Sequence, residues 1–421
     1  MTISPHQGET TADPSLAAQP PRKGSLALIF FVMLMDIIGI TLLSPVAPSI
    51  VLRYSDSALM VTMITVIYAV GQFVASPFFG KLGDKFGRRP VLLISLIGQS
   101  LGYLVFALGG SLWVLFLGRL IGGITSGNLS TSNAYIADIS KPEERSKNFA
   151  MISTAWSLGL ILGPMLGGVF GELSLEAPAF VAAGVTFLNV LLGFFLLPES
   201  LPQERRDHTP VRLRDLNPII SIYQIGRKPG LWLVLLAQAL FSFSFNGINS
   251  TSALFIIQKF FAHTWQVSLM MMLAGLSIAL TNTFLVPRWM PRFGERLSGV
   301  GGLLGLAVVA AALYFIPVLW IFLLINMLSS VMNSFIFPAL TTLSIERVSA
   351  HEVGQLLGVT SAVGSLMNIF GPLWAGFIYD EVMMGSPYWM GAVIYIVGAL
   401  ILFRTAPRLR HSDLTPDVAS G

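Results

Sequence analysis

Cysteine is absent from all 421 residues, so no disulfide, thiolate metal site or cysteine nucleophile can form. Charge is scarce as well: Asp, Glu, Lys and Arg make up 11% of the chain, against about 25% in a soluble domain. Histidine is reduced to five. His6, His208, His263, His351 and His411 fall in tails or loops, with no metal-like spacing. A phosphate loop is missing too. GxxxxGK[ST] ending at Gly80 and Lys81 would need glycine at 75 and Ser or Thr at 82, and those positions hold Ala75 and Leu82. No metal site and no ATP site is visible, so an enzyme is not expected.

What the chain has in excess is apolar length, with 54% hydrophobic residues. A bilayer core about 30 Å thick needs roughly 20 apolar residues per helix. Such runs lie near 25–50, 58–80, 90–109, 112–138, 149–173 and 178–198, then near 231–257, 266–287, 298–317, 319–344, 355–378 and 388–404. The reading is an all-α integral membrane protein of twelve spans in two groups of six. Residues 1–24 are polar and rich in Pro, Thr, Ser and Gln, as in a disordered tail. The first apolar run starts too late and is too long for a cleavable signal peptide.

With the N-terminus in the cytoplasm, all 25 Lys and Arg fall on the inner side except Arg53 and Lys259 outside and Arg119 within a span. That asymmetry follows the positive-inside rule and accounts for the net charge of +4 without nucleic acid. The halves also repeat at an offset of 207–208 residues. "GPMLGG" at 163–168 answers "GPLWAG" at 371–376, "KFGRR" at 85–89 answers "RFGER" at 292–296, Asp138 answers Glu346, and Gly39 answers Gly247. The expected organisation is a cytoplasmic tail at 1–24, a six-helix bundle at 25–198, a linker at 199–230, a second bundle at 231–404, and a cytoplasmic tail at 405–421. Within the linker, "LRDLNPIISIYQIGRK" fits either an interfacial amphipathic helix or a solvated tether. Parallel duplicated bundles of this kind build transporters with a mid-membrane site between them.

Two ionisable residues lie deep in spans, where each is unfavourable by roughly 2.5–3.5 kcal/mol. Asp36 in "FVMLMDIIGI" reads as a proton site, and Arg119 in "LFLGRLIGG" as its electrostatic partner or an anion contact; a purely structural ion pair is the alternative. Gly159, Gly163, Gly167 and Gly171 recur every fourth residue in span 5, with Pro164 and Gly168 among them, a stripe for close helix contact and a bending seam. Uncharged polar residues at Gln72, Gln238, Asn246, Asn326, Asn333 and Asn368 sit among Trp156, Phe241, Phe245 and Met271. They suit either a cavity for a bulky amphipathic ligand or interhelical bonding and lipid contact.

The segment "GKLGDKFGRRP" at 80–90 resembles motif A of the major facilitator superfamily. "GLILGPMLGG" resembles the fifth-helix signature of its antiporters, and "GRLIGGITSGN" its fourth-helix arginine motif. "MDIIGITLLSPVAPSI" is similar to the first helix of twelve-helix drug–proton antiporters, above all the tetracycline-efflux group. The resemblance implies the major facilitator fold, two pseudo-symmetric six-helix bundles. It assigns Gly80, Asp84, Gly87, Arg88, Arg89 and Asp138 to an inner gate. Asp84 would latch onto the N-terminus of span 11 near Gly354 to Gly358, and Arg88 would link Asp84 to Asp138. Tetracycline exporters carry a histidine in helix 8 and an aspartate in helix 9. Here "SLMMMLAGLSIALTNTFLVP" and "LSGVGGLLGLAVVAAALYF" hold neither a histidine nor a carboxylate, so coupling rests mainly on Asp36 and the substrate is left open.

The expected function is proton-coupled antiport exporting amphipathic or drug-like compounds from a bacterial inner membrane, with both termini cytoplasmic. The proton is the coupling ion, with no other cofactor, no ATP and no nucleic acid, and the partners are the bilayer and a small-molecule substrate of a monomeric protein. The alternatives are export of a dedicated metabolite (a sugar, amino-acid derivative or siderophore) and a transport-inactive membrane sensor.

Overall fold

A computed structural model describes residues 25–141, 143–206, 228, 230–349 and 352–405. The tail expected at 1–24, the stretch 213–227 of the expected amphipathic helix and the tail from 406 lie outside the described residues.

Apolar sequence folds into helices because each backbone polar group in lipid must be satisfied within its own segment. The first half holds α1 (Ser25–Leu42), α2 (Ala47–Val51), α3 (Ala58–Phe86), α4 (Arg88–Leu108), α5 (Leu112–Ile124), α6 (Asn128–Ile139), α7 (Arg145–Gly171) and α8 (Ala177–Leu196). The second holds α9 (Leu231–Phe260), α10 (Thr264–Leu280), α11 (Val286–Phe315), α12 (Leu319–Ile345), α13 (Val353–Glu381) and α14 (Ser386–Phe403). A single wide π turn, Thr281–Leu285, joins α10 to α11.

Among the described residues nine helices are long and apolar enough to cross a membrane, one of them a continuous stretch of 52 residues, Thr264–Phe315. Gly294 breaks that stretch with φ 77 and ψ 162, so it makes two passages. Two shorter apolar helices, Leu26–Leu42 and Leu112–Ile124, complete twelve crossings.

Two spans expected to be continuous are broken. Pro45, which has no N–H to donate, lies between α1 and α2. Between α5 and α6, Thr125 Oγ1 donates to Ile121 O at 2.8 Å and Ser126 Oγ to Gly123 O at 2.7 Å. Such side chains compete with the helical ladder, and the break leaves Asn128 at the head of α6.

Within the first half, α1 packs on α7 and α8, and α4 on α5 and α8; within the second, α9 packs on α13 and α14, and α11 on α12 and α14. Across the halves the main contacts are α3 with α13 and α7 with α10. The ends of the molecule differ. At the end remote from residues 80–90, one apolar cluster is shared by both halves and includes Leu42, Val46, Phe106, Phe255, Phe322 and Tyr388. Toward residues 80–90 the clusters stay within one half: Ile29, Val32, Leu92 and Tyr135 in the first, Leu231, Leu235, Leu356 and Val359 in the second. The halves are therefore sealed at the remote end and parted at the basic end. Large apolar side chains such as Trp113, Phe195 and Phe315, each more than 70% exposed, cover the outside. A belt of that kind belongs in hydrocarbon.

Candidate functional site

Where the halves meet lies a cavity of about 320 Å³. From α12 it takes Asn326, Ser329, Ser330 and Asn333, at helical spacings of three, four and seven that put all four on one face. Asn249 and Ser252 on α9 extend this polar wall, while Met270, Met271, Ala274 and Ile278 on α10 form an apolar one. The first half contributes Thr41, Ser44, Leu160 and Pro164. No Asp, Glu, Lys, Arg or His lines the cavity.

Of the residues expected in a cavity, Phe245, Met271, Asn326 and Asn333 line this one. Gln72 lines a second cavity of about 560 Å³ between α3, α6 and α13, with Ser130, Asn133, Gly358 and Ser365. Trp156, Gln238, Phe241, Asn246 and Asn368 line neither. Phe241 stacks on Phe245 with centroids 5.7 Å apart and belongs to the second half's core, and Trp156 packs against the first half's core. Hydropathy cannot tell which face of a helix an aromatic ring presents.

The glycine stripe of α7 fits side chains of α1 against its backbone. A Cβ at Gly159 would collide with Ile37, at Gly163 with Thr41, and at Gly167 with the Leu42 carbonyl. Thr41 Oγ1 donates to the Gly159 carbonyl at 3.0 Å across this seam. On the other side, a Cβ at Gly168 would fall 2.7 Å from Ser268 on α10. Pro164 lies between, facing the cavity.

Asp36 on α1 is buried, and its Oδ1 has no hydrogen-bond partner. The Asn128 side chain lies beside the carboxyl and donates through Nδ2 to Gln99 Oε1 at 3.1 Å; Gln99 Nε2 in turn donates to Tyr103 Oη at 3.0 Å. Arg119 does not pair with Asp36: no ion pair joins them among the described residues. Its guanidinium instead lies 4.4 Å from the Tyr68 ring centroid, and Nε donates to Ile64 O at 3.4 Å. An aromatic face attracts a cation strongly once water is excluded, so Tyr68 holds Arg119 where a direct pair was expected. Sequence reasoning passed over Tyr68, Gln99, Tyr103 and Asn128; their signal was polar side chains within apolar runs, as in "IGQSLGY".

At the basic end, Arg88 joins two carboxylates. Nη2 lies 2.7 Å from Asp84 Oδ1 and Nε 3.0 Å from Asp138 Oδ2. Glu199, also missed, accepts from the Arg88 N–H at 2.8 Å and the Arg89 N–H at 3.2 Å, capping the free donors of α4. Gly87 makes this approach possible: its φ is 102, and a Cβ there would strike the Glu199 carboxylate. Arg89 donates to the Phe194 carbonyl, and Gly80 faces open space. Among the described residues no hydrogen bond or ion pair is seen from Asp84 to the N-terminus of α13. Gly354 and Gly358 face open space, and Gly358 borders the second cavity. On the same end of the second half, Glu352 at the head of α13 accepts from Lys228 and Ser349, which push its carboxyl down to about 2.

The family model for the Major Facilitator Superfamily matches residues 29–372 and 266–419. Tetracycline resistance protein, class C, of Escherichia coli is 34% identical, over 92% of this chain and 96% of its own. Among solved structures, the human organic anion transporter MFSD10 (TETRAN) is similar, with a TM-score of 0.69 at 26% identity over 91% of this chain and 100% of that one. A bacterial homologue of the human lysosomal transporter Spinster shares the fold, with a TM-score of 0.75 at 18% identity over 93% of this chain and 98% of its own.

Proposed function

The chain belongs to the major facilitator superfamily, and we propose that it is a proton-coupled antiporter exporting amphipathic or drug-like small molecules by alternating access. The observation that carries this reading is the two-sided cavity at the junction of the halves. A ligand's apolar face would lie on Met271, Ala274 and Ile278, and its hydrogen-bonding face on Asn326, Ser329 and Asn333. With no ionic side chain in the lining, recognition rests on hydroxyls, carboxamides and apolar contact rather than on charge.

The positive-inside rule puts the basic end in the cytoplasm and both termini with it, in a bacterial inner membrane. In that orientation the arrangement described above is shut outward and open inward beside Gln72, so substrate enters from the cytoplasm. Asp36 takes the proton, since a buried carboxyl with an unpaired oxygen responds to any change of surroundings. Protonation from outside and substrate from inside compete for one arrangement of the halves, which rock about the cavity. The protein works as a monomer, with neither ATP nor a further cofactor.

Flux of tetracycline and of an uncharged amphipathic dye into proteoliposomes under an imposed pH gradient tests this. Asp36→Asn is expected to abolish gradient-driven accumulation while downhill exchange continues. Undiminished accumulation by that variant overturns the proton role. Export of a hydroxyl-rich metabolite is a second reading, favoured by the four hydrogen-bonding side chains on one face of α12. Stabilisation of purified protein by sugars and polyols, but not by apolar drugs, would select it.

A further inference from the structure

At the remote end, the two main helix pairs that cross between the halves finish in the same kind of contact. Asp380, near the end of α13, sits on the first turn of α3: Ser57 Oγ donates to Oδ2 at 2.6 Å, the Ala58 N–H to Oδ1 at 2.7 Å, and the Leu59 N–H to Oδ2 at 3.0 Å. Glu172, the residue that ends α7, accepts from the Trp265 N–H in the first turn of α10 at 3.4 Å. In each case a carboxylate from one half meets the unpaired N–H groups and partial positive charge of a helix start in the other.

The two contacts are copies. Glu172 and Asp380 stand 208 residues apart, as do Ser57 and Trp265, and this is the offset that relates "GPMLGG" to "GPLWAG". Neither carboxylate has an ion-pair partner among the described residues, so these N–H and hydroxyl donors are what each binds. Small residues permit the approach. A Cβ at Gly376 would collide with Thr62 and come within 2.8 Å of Leu59 Cα, and one at Gly171 would fall 2.7 Å from Thr264.

We propose that Asp380 and Glu172 are a paired latch that holds the outer end of the transport path shut. Each half clasps a helix of the other, and the outer end opens when both clasps release. Asp380, with three short bonds, carries the larger share, and Glu172, with one long bond, the smaller. They are positioning residues, acting through α3 and α10 on the cavity between.

The absence of cysteine lets two single labels be placed without background. Spin labels at Leu173→Cys and Val382→Cys, exposed sites on opposite halves, report the opening of the outer end in full-length protein in nanodiscs. Their distance distribution needs neither substrate nor a proton gradient, so its outcome is independent of the transport reading. Asp380→Ala should raise the outward-open fraction about tenfold and Glu172→Ala about threefold, with the double variant exceeding either. Asp380→Asn, which keeps an acceptor and loses the charge, should fall between wild type and alanine. A distribution unchanged in both Asp380→Asn and the double alanine variant overturns the latch, as does one that shifts for neither single variant.

Discussion

At the basic end, the duplicated segments 80–90 and 287–297 have kept their backbone and lost their chemistry. Gly87 (φ 102, ψ 159) and Gly294 (φ 77, ψ 162) occupy the same region, one open almost only to glycine. Yet Asp84 is matched by Pro291 and Arg88 by Glu295. At the remote end the reverse holds, and a carboxylate survives in both copies, as Glu172 and Asp380. The sharp turn is found where α3 passes into α4 and at the matching kink of α11, so both halves retain it. The Arg88 bridge is needed only where acids flank it. By sequence, the second half has Glu295 where the first has Arg88 and Glu346 where it has Asp138, and two acids cannot form such a bridge. The basic end is thus asymmetric in its chemistry, while at the remote end each half meets a helix start of the other through one carboxylate.

The sharpest way to break that comparison is to put a side chain on each glycine. Alanine at either pays for the same backbone strain, of order 1–3 kcal/mol. At Gly87 it also displaces Glu199 and uncaps α4, whereas the space beside Gly294 is open. Gly87→Ala is expected to lower stability by about 3 kcal/mol and Gly294→Ala by about 1 kcal/mol, read as thermal unfolding in detergent. Equal losses would mean that the Glu199 cap contributes nothing. Next in size is Arg88→Ala, which leaves Asp84 and Asp138 without their cation. Removing one partner of a buried pair is unfavourable by about 3–5 kcal/mol. Asp84 is 47% exposed and solvates readily, so about 2 kcal/mol is expected here. Its counterpart Glu295→Ala should change stability by no more than about 0.5 kcal/mol.

Hydropathy and charge made the twelve crossings and the two-fold repeat legible, because the bilayer sets helix length and the repeat preserves glycines and prolines at one offset. The breaks before Ala47 and after Ile124 were hidden, since "LLSPVAPSI" and "GGITSGN" keep the average apolar while local bonding ends the helix. Arg88 was legible as the link between Asp84 and Asp138. The contact expected from Asp84 to α13 is absent among the described residues, where the basic end is parted. Arg119 was read toward Asp36, its only deep counter-charge. Its actual contact, the Tyr68 ring, is set by how α3 packs on α5 and leaves no mark in residue spacing. Glu172 and Asp380 could have been found by carrying the 208-residue offset past the glycines of "GPMLGG" to the acids that follow.

The smallest effect is expected at an ionic contact on the basic end of the second half, the clasp of Lys228 on Glu352. The Lys228 ammonium and Ser349 hold the Glu352 carboxyl at about 2, below its ordinary 4.5. Between those values the opened state binds more protons than the folded one, so acid favours opening. The clasp contributes fully above about pH 5 and is lost as the pH falls toward 2. The partners lie near the surface, so salt screens them, unlike the Arg88 bridge, whose guanidinium is 10% exposed. Hydrogen exchange in the first turn of α13, taken relative to the intrinsic amide rate at each pH, should stay slow down to about pH 4.5 and quicken below it. Lys228→Ala should quicken it at every pH above that range, by no more than a few fold, and added salt should do the same to the wild type. If Lys228→Ala tracks the wild type throughout, the clasp stabilises nothing and is no counterpart to the Arg88 bridge of the first half.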